Sequence, residues 1–231
     1  MQRYFVASKE ENVFYPSKED LHHIYHVMRM KEGDLVEVVY EEELYLGKIK
    51  DNGIVLEEKL YGENKTSNVI LIIPVLKEAK MDFILQKATE LGVYGIYPFK
   101  SERSVVKTDG KDDKKIERWR KIVKEASEQS KRVTIPKIPK IFSLQELKDL
   151  DGNKIFCSTT EKEKNVKKYL TKHKKYDKLN IVVGPEGGLS KKEEAFLIDN
   201  GFIPVSLGPF IMRVETVPIF ILSIISYESM E

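Results

Sequence analysis

The sequence predicts an α/β protein in which a small β-rich domain precedes a larger domain built on a mostly parallel sheet. Up to residue 60, strand-like runs follow one another with one helix between them. From residue 69 onward, strand-like runs alternate with helical spacing, which is typical of a parallel sheet covered by helices on both faces. The polar stretch 61–68 between the two patterns lacks periodicity, so we predict domains of residues 1–66 and 69–231.

The first part of the chain is expected to form β structure around one helix. The strand-like runs are residues 3–7, 34–40, 44–50 and 54–60. A helix is expected over residues 18–30, with His22 and His26 four positions apart on one face. Two such histidines could ligate a metal, but no cysteine and no acidic ligand of recognisable spacing accompanies them. We therefore predict no metal site and expect histidines that face RNA or pack against the domain.

The second part alternates between strands and helices. The strand-like runs are residues 69–75, 94–99, 154–157, 180–183 and 202–207, with a further candidate at 133–138. Apolar residues keep helical spacing from Met81 to Leu91, where Gly92 is a typical C-cap, and again from Ile116 to Ala126. Ser143 and Glu146 have the spacing of a capping box before a short helix. The last segment, 215–227, is apolar nearly all round, which indicates a core or interface helix.

Charge is distributed unevenly along a chain that is nearly neutral as a whole. Residues 100–140 hold 14 Lys and Arg against 7 Asp and Glu, and residues 161–178 hold 8 against 3. With a total of +2, the other residues carry −10, because the two stretches account for +7 and +5. A face that binds a polyanion such as RNA would produce this asymmetry, and so would lysines on solvated helices.

The location of the protein is predicted from its cysteine content and its first residues. The single Cys157 excludes an intrachain disulfide and fits a reducing compartment. The first residues lack the apolar core of a signal peptide. Since no apolar stretch is long enough for a bilayer span, we expect a cytoplasmic protein without membrane contact.

A glycine-rich bend follows one short apolar strand in "IVVGPEGGLSKKEEAFL", residues 181–197. Ser190 and Glu193 then form a capping-box pattern that starts a helix. The bend lacks the Gly-Lys pair of a P-loop and the spacing of a dinucleotide-binding fingerprint. Glycines at the carboxyl end of a strand let a ligand approach the main chain closely. We expect a loop that offers backbone groups to a ligand that is not obviously a phosphate.

A second glycine bend occurs in "SLGPFIMRVETV", residues 206–217. It follows another buried strand, and Arg213, Glu215 and Thr216 then lie at the beginning of the last helix. The two bends suggest the walls of one pocket. Alternatively, Arg213 and Glu215 form a structural ion pair that caps the helix.

Six segments in this order carry a resemblance to a known family: "HHIYHVMRMKEGD" (22–34), "KATELGV" (87–93), "SERS" (101–104), "RWRKIVKEASEQSKR" (118–132), "VVGPEGGLS" (182–190) and "SLGPFIMRVETV" (206–217). The chain resembles the RsmE family, the small-subunit ribosomal RNA uracil-N3 methyltransferases. The resemblance implies a SPOUT-type trefoil-knotted parallel sheet domain, preceded by a small PUA-like β-barrel domain for RNA. It also implies S-adenosyl-L-methionine as cofactor, a homodimer, and methylation of N3 of one uridine in the 16S rRNA of the small ribosomal subunit. The knot rests on this resemblance alone, because knots are rare in proteins.

The resemblance assigns roles to particular residues of this chain. The expected cofactor-binding residues are Ser158, Thr159, Gly184, Glu186, Gly187, Gly188, Leu207, Gly208, Ile211 and Met212. In catalysis, Arg213 would stabilise negative charge on the uracil oxygens and Glu215 would orient it. Arg103 would hold a phosphate or the target base. The expected RNA-binding residues are Arg3, Arg29 and Arg132.

The chain departs from the family pattern at several positions. Phe210 stands where arginine or lysine is common, Val214 where a threonine often follows the arginine, and Lys131 where glycine is usual. Val217 and Pro218 stand where two alanines are usual. Two other function classes stay open: a related SPOUT enzyme that methylates a ribose 2′-hydroxyl or another base, and a non-catalytic RNA-binding module.

Overall fold

The computed structural model of the chain describes residues 1–62, 67–106, 112–173 and 177–230. They divide into two compact units, the first comprising Met1–Lys65 and Lys124–Ile135, the second Thr66–Val123 and Pro136–Glu231. Part of the expected linker 61–68 and parts of both basic stretches fall outside the described residues, at positions 63–66, 107–111 and 174–176.

Short strands form most of the first unit. In chain order its elements are β1 (Arg3–Phe5), β2 (Ser8–Glu10), β3 (Val13–Tyr15), α1 (Lys18–His22), a π-helical turn (His23–Val27), β4 (Leu35–Tyr40), β5 (Glu43–Lys50) and β6 (Gly53–Leu60). Among the described residues, the six strands form one sheet in the order β1-β4-β5-β6-β3-β2. Neighbouring strands pair antiparallel except for the parallel pair β1 and β4. Alternating side chains of these strands, with Ile24, form the core of the unit.

The sequence predicts four of these strands but overestimates the helix. The predicted helix 18–30 is an α-helix only over Lys18–His22, and a π-helical turn follows it. β2 and β3 were not expected, because each is three residues long and β2 is entirely polar. Such runs are too short to show the alternation that identifies a half-buried strand.

Arg3 is buried in the first unit instead of lying exposed as an RNA anchor would. Its side chain is 5% exposed, and its Nε donates to Glu37 Oε2 at 3.0 Å. Its Nη1 donates to the backbone carbonyl groups of Lys131 and Arg132. A buried guanidinium needs such partners. Arg3 therefore holds the segment 124–135 in the first unit and is not in a position to contact RNA.

The second unit contains the predicted alternation of strands and helices. In chain order its elements are β7 (Val69–Pro74), α2 (Glu78–Glu90), β8 (Gly95–Phe99), α3 (Asp112–Gln129), a 3₁₀ helix (Gln145–Asp149), β9 (Asn153–Cys157), α4 (Val166–Lys172), β10 (Leu179–Val182), α5 (Lys191–Asp199), β11 (Ile203–Val205) and α6 (Thr216–Glu228). The last residues of α3, from Lys124, belong to the first unit. None of the described helices is long and apolar enough to cross a membrane.

Five strands of the second unit form a sheet in the order β11-β9-β10-β7-β8, as far as the described residues show, and every pair is parallel. The predicted α/β class, with a parallel sheet preceded by a β-rich part, is confirmed. The run 133–138 is not a strand and makes only an isolated bridge between Lys137 and Gly95. Large apolar side chains from the sheet and from α5, such as Phe99, Phe156 and Leu197, fill the core.

Candidate functional site

Three loops leave the same edge of the parallel sheet in the second unit. They follow β9, β10 and β11, which lie side by side in the order β11-β9-β10. Because parallel strands end at one edge of their sheet, the residues after them gather there. We call residues 183–190 the glycine loop and residues 206–215 the carboxyl-terminal loop. Together with Ser158 and Thr159 after β9, they contain all the residues that we expected to bind a cofactor.

Ser158 shapes the turn that follows β9. It is buried, and its backbone N–H donates to Val205 O at 2.9 Å, which joins the ends of β9 and β11. Its hydroxyl oxygen accepts from the backbone N–H groups of Thr160 and Glu161 at 3.2 and 3.3 Å. Thr159, which lies between Ser158 and Thr160, is exposed. The serine therefore stabilises the turn and leaves Thr159 accessible to a ligand.

The glycines of the glycine loop serve two different purposes. A Cβ at Gly184 would lie 3.1 Å from the backbone N and 3.2 Å from Cγ of Leu189, so this glycine allows close packing inside the loop. Gly188 has a φ of 69°, in the left-handed region, and a Cβ there would face open space. The loop is closely packed on one side and has room for a ligand on the other.

Arg103, which we expected to contact RNA, is bonded to the glycine loop. It lies after β8, and its Nη1 donates to Gly187 O at 2.9 Å and to Leu189 O at 3.4 Å. The side chain remains largely exposed. It therefore contributes to the conformation of the loop, a role that the sequence did not indicate.

Glu193 joins the start of α5 to the segment after β8. The predicted capping box is confirmed, since Glu193 Oε2 accepts from Ser190 N at 2.7 Å and Ser190 Oγ accepts from Glu193 N. The other carboxylate oxygen accepts from Ser101 Oγ and Glu102 N, both at 2.8 Å. Glu193 is only 3% exposed. The sequence predicted Glu193 only as part of a helix cap. It did not predict the donors of Ser101 and Glu102, because only the tertiary fold brings them close to Glu193.

The carboxyl-terminal loop is much more open. Phe210 and Ile211 are 82% and 84% exposed. Gly208 has a φ of 122°, and a Cβ on it would meet no atom within 4 Å. Among the described residues, the backbone N–H groups of Leu207, Ile211 and Met212 donate to no protein acceptor. These groups are available for hydrogen bonds to a ligand.

Glu215 does not pair with Arg213, which corrects the expectation that Glu215 orients this arginine and also the alternative of a helix-capping ion pair. Its Oε2 instead lies 3.3 Å from Nζ of Lys80 on α2. This is an ion pair without hydrogen-bond geometry, so the buried Oε2 has no hydrogen-bond partner in the described part of the chain. The side chain of Arg213 is exposed and forms no ion pair with any described residue.

Lys80 also contacts the glycine loop, where its Nζ donates to Glu186 Oε1 at 3.1 Å. The carboxylate of Glu186, more than that of Glu215, holds the pKa of Lys80 above its usual value. Burial acts to raise the pKa of Glu186, but hydrogen bonds from its own backbone N–H and from Lys80 outweigh burial and lower it. The sequence contains no signal for Lys80, since charged residues are ordinary near the start of a helix.

The remaining predicted residues lie in the first unit. Arg29 is exposed and has a φ of 54°, and Arg132 is half-buried, with its Nε donating to Thr134 O at 3.2 Å. Burial lowers the pKa of Arg132 to about 10. His22 and His26 are exposed, with ring centroids 4.8 Å apart. Within the described ranges, no group of three His, Cys, Asp or Glu residues is arranged to hold a metal ion.

Comparison with known proteins identifies the family. A family model described as an RNA methyltransferase domain matches residues 63–226, and one described as an RNA methyltransferase PUA domain matches residues 16–58. Two similar relatives are named ribosomal RNA small subunit methyltransferase E. The relative from Bacillus subtilis is 36% identical, with 99% of this chain and 97% of the relative covered. The relative from Mesomycoplasma hyopneumoniae is 34% identical, with 96% and 98% covered.

Two solved structures share the architecture of the chain. The ribosomal RNA small subunit methyltransferase E of Neisseria gonorrhoeae, bound to S-adenosylmethionine, has a TM-score of 0.88 at 26% identity, with 98% of this chain and 97% of that chain covered. A Legionella pneumophila protein in complex with the same cofactor has a TM-score of 0.88 at 27% identity, with 97% and 96% covered. Because a family model covers most of the chain and full-length relatives exceed 30% identity, the chain belongs to the ribosomal RNA small subunit methyltransferase E family.

Proposed function

We propose that this protein binds S-adenosylmethionine at the glycine loop and the carboxyl-terminal loop and methylates N3 of a specific uridine in 16S rRNA of the small ribosomal subunit. The observation that carries the proposal is the set of loops at one sheet edge. They combine open space above Gly188 and Gly208 with unpaired backbone N–H groups at Leu207, Ile211 and Met212.

These residues fit a nucleoside cofactor. The edge of an adenine carries both hydrogen-bond donors and acceptors, which backbone N–H and C=O groups of glycine-rich loops can satisfy. The exposed Thr159 and the half-buried Leu207 and Met212 border the same sheet edge. The family relatives from Neisseria gonorrhoeae and Legionella pneumophila, which contain this cofactor, support the same assignment.

The protein must position the uracil and stabilise its anion. S-adenosylmethionine supplies an electrophilic methyl group when bound. The proton on uracil N3 has to pass to solvent water before or during transfer, so negative charge develops on the base. The exposed guanidinium of Arg213, which no described carboxylate neutralises, is the group we assign to stabilise this charge. Such a donor contributes about 10²–10³-fold to kcat, and correct positioning supplies about 7–11 kcal/mol of the barrier.

RNA recognition is proposed for both units. N3 lies on the Watson–Crick edge, so the target uridine has to be unpaired or turned out of its helix. Arg103 is assigned to a phosphate or the target base, through guanidinium N–H groups that the glycine loop does not use. We assign RNA contacts in the first unit to the exposed Arg29 and to Arg132, and the PUA family match supports an RNA-binding role for this unit.

A second copy of the chain is proposed to cover an apolar groove of the second unit. The groove lies between α4 and α6 and has a volume of about 660 Å³. Its lining is mostly apolar, including Leu170, Phe220, Ile224 and Tyr227. A helix with an apolar surface that faces solvent favours association. We expect a homodimer in the cytoplasm, and sedimentation of the wild type as a monomer would contradict it.

The function is tested by incubating the purified protein with labelled S-adenosylmethionine and small ribosomal subunits from a strain that lacks the endogenous enzyme. The modified nucleoside is then identified by mass spectrometry. We expect 3-methyluridine at a single site. A 2′-O-methylated nucleoside or another methylated base would assign the chain a different RNA target. If no nucleoside is labelled, the chain would instead be an RNA-binding module.

A further inference from the structure

Lys80 connects the two loops of the proposed cofactor site. It lies in the first turn of α2, shortly after β7, and its ammonium group contacts two carboxylates. One is Glu186 of the glycine loop at 3.1 Å, and the other is Glu215 at the end of the carboxyl-terminal loop at 3.3 Å. In the part of the chain that the structure describes, no other side chain forms ion pairs with both loops.

The two carboxylates need a cation between them. Both lie within 3.3 Å of the same ammonium nitrogen, and Oε2 of Glu215 is buried without a hydrogen bond. Without the cation, the two negative charges would repel one another and the buried Oε2 of Glu215 would be left without its ion-pair partner. Loss of the ammonium group would therefore move the two loops apart.

We propose that Lys80 is a positioning residue for methyl transfer, which holds the glycine loop and the carboxyl-terminal loop in the relative arrangement that the reaction needs. Glu215 follows Arg213 by two residues, so fixing its carboxylate also fixes the backbone that carries the arginine. The inference rests on the proposed function for its catalytic consequence. The physical link between the loops can be measured without cofactor, RNA or activity.

Hydrogen exchange on the cofactor-free protein tests the link. The variant Lys80→Met retains an unbranched side chain of similar length without the charge. We expect its backbone amides to exchange at least threefold faster in both the glycine loop and the carboxyl-terminal loop. The variant Lys87→Met is the matched control, because Lys87 lies on the same helix and, among the described residues, pairs only with Glu90, at 2.8 Å. We expect no change in either loop for this control.

Further variants separate a link between the loops from a local effect. Glu186→Gln should accelerate exchange mainly in the glycine loop, whereas Lys80→Arg should keep both loops near wild-type rates because the cation is retained. The inference fails if Lys80→Met changes neither loop or only one of them.

Kinetics test the catalytic consequence. With small ribosomal subunits as substrate, Lys80→Met should lower kcat roughly tenfold, with KM for the subunits within about twofold, because positioning acts on the transition state. Lys80→Arg should recover most of the rate, and Lys87→Met should match the wild type. An unchanged kcat beside an active wild type would overturn the positioning role alone. An inactive wild type would instead overturn the proposed function, and the exchange experiment would still decide whether Lys80 links the loops.

Discussion

The glycine loop and the carboxyl-terminal loop share a Gly-Pro pair but have very different surroundings. Both loops follow a short strand of the parallel sheet. Side chains from four other positions contact the glycine loop or the helix start that ends it, namely Lys80, Ser101, Glu102 and Arg103. Among the described residues, Lys80 is the only side chain from elsewhere that forms an ion pair with the carboxyl-terminal loop, and this loop presents Phe210 and Ile211 to solvent.

The difference follows from strand order. β10 lies in the middle of the described sheet, between β9 and β7, so its loop has neighbours on both sides. β11 lies at the edge, so its loop has neighbours on one side only. The comparison indicates that the glycine loop is a preformed wall, while the carboxyl-terminal loop is free to adjust to a ligand. Four substitutions test this distinction.

The largest effect is expected for Arg213→Ala in the carboxyl-terminal loop. Removing the group that stabilises the uracil anion should lower kcat by about 10²–10³-fold. Because the side chain is exposed and unpaired among the described residues, stability should change by less than about 0.5 kcal/mol. Single-turnover methylation and thermal unfolding measure the two effects. A rate within about threefold of the wild type would remove Arg213 from catalysis.

Glu193→Ala should have the next largest effect, and we expect it to lower the free energy of unfolding. The substitution leaves the donors of Ser101, Glu102 and the buried Ser190 without their acceptor, at a cost of about 1–3 kcal/mol for a lost buried partner. A lower melting temperature in a thermal scan is the expected readout. Glu194→Ala on the same turn is the control and should leave the melting temperature nearly unchanged. Equal effects from both variants would show that the glycine loop is not held through Glu193.

Gly208→Ala and Gly188→Asn compare how strongly each loop depends on a backbone conformation with positive φ. A φ of 122° is strained for any residue with a Cβ, at a cost of about 1–3 kcal/mol. The open loop has room to relax, so we expect weaker S-adenosylmethionine binding in calorimetry, by roughly tenfold, with little change in melting temperature. Gly188→Asn, at a φ of 69°, should bind nearly normally because asparagine tolerates the left-handed region. The reverse order of affinities would contradict the assignment of the adjustable loop.

Phe210→Ala should have the smallest effect. An exposed aromatic side chain beside the proposed site can stack on a nucleotide base, and such stacking contributes about 1–3 kcal/mol. We expect KM for small ribosomal subunits to rise about fivefold, while Phe210→Tyr stays near the wild type. Phe83→Ala, at an exposed phenylalanine of α2, is the matched control. If the control raises KM equally, Phe210 has no specific RNA contact.

Sequence patterns predicted most of the fold because they are local. The strands of both units, the capping box of Ser190 and Glu193, and the two glycine bends all depend on residues close together in the chain. β2 and β3 were missed because three-residue strands depend on pairing partners. The helix after Ser17 was overestimated because the π-helical turn interrupts a pattern that continues in the sequence.

Long-range contacts of charged residues could not be predicted in the same way. The sequence identified Arg3, Arg103 and Glu215 as candidates for function, but the fold gives each of them a partner distant in the chain. Lys131, at a φ of 63°, shows the converse case. The left-handed backbone there explains why a glycine suits this position. The resemblance to the family indicated only that lysine is unusual there.

The sequence by itself determined the α/β class, the order of elements, the two glycine bends and the family, since these depend on local propensity and on motifs in a fixed order. Only the tertiary structure decided that Arg3 is buried and that Glu215 pairs with Lys80. It also decided that the glycine loop is held on both sides while the carboxyl-terminal loop is open. The physical reason is that a charged side chain has no preferred partner in the sequence. Its partner is set by burial and by which strand ends lie side by side in the sheet.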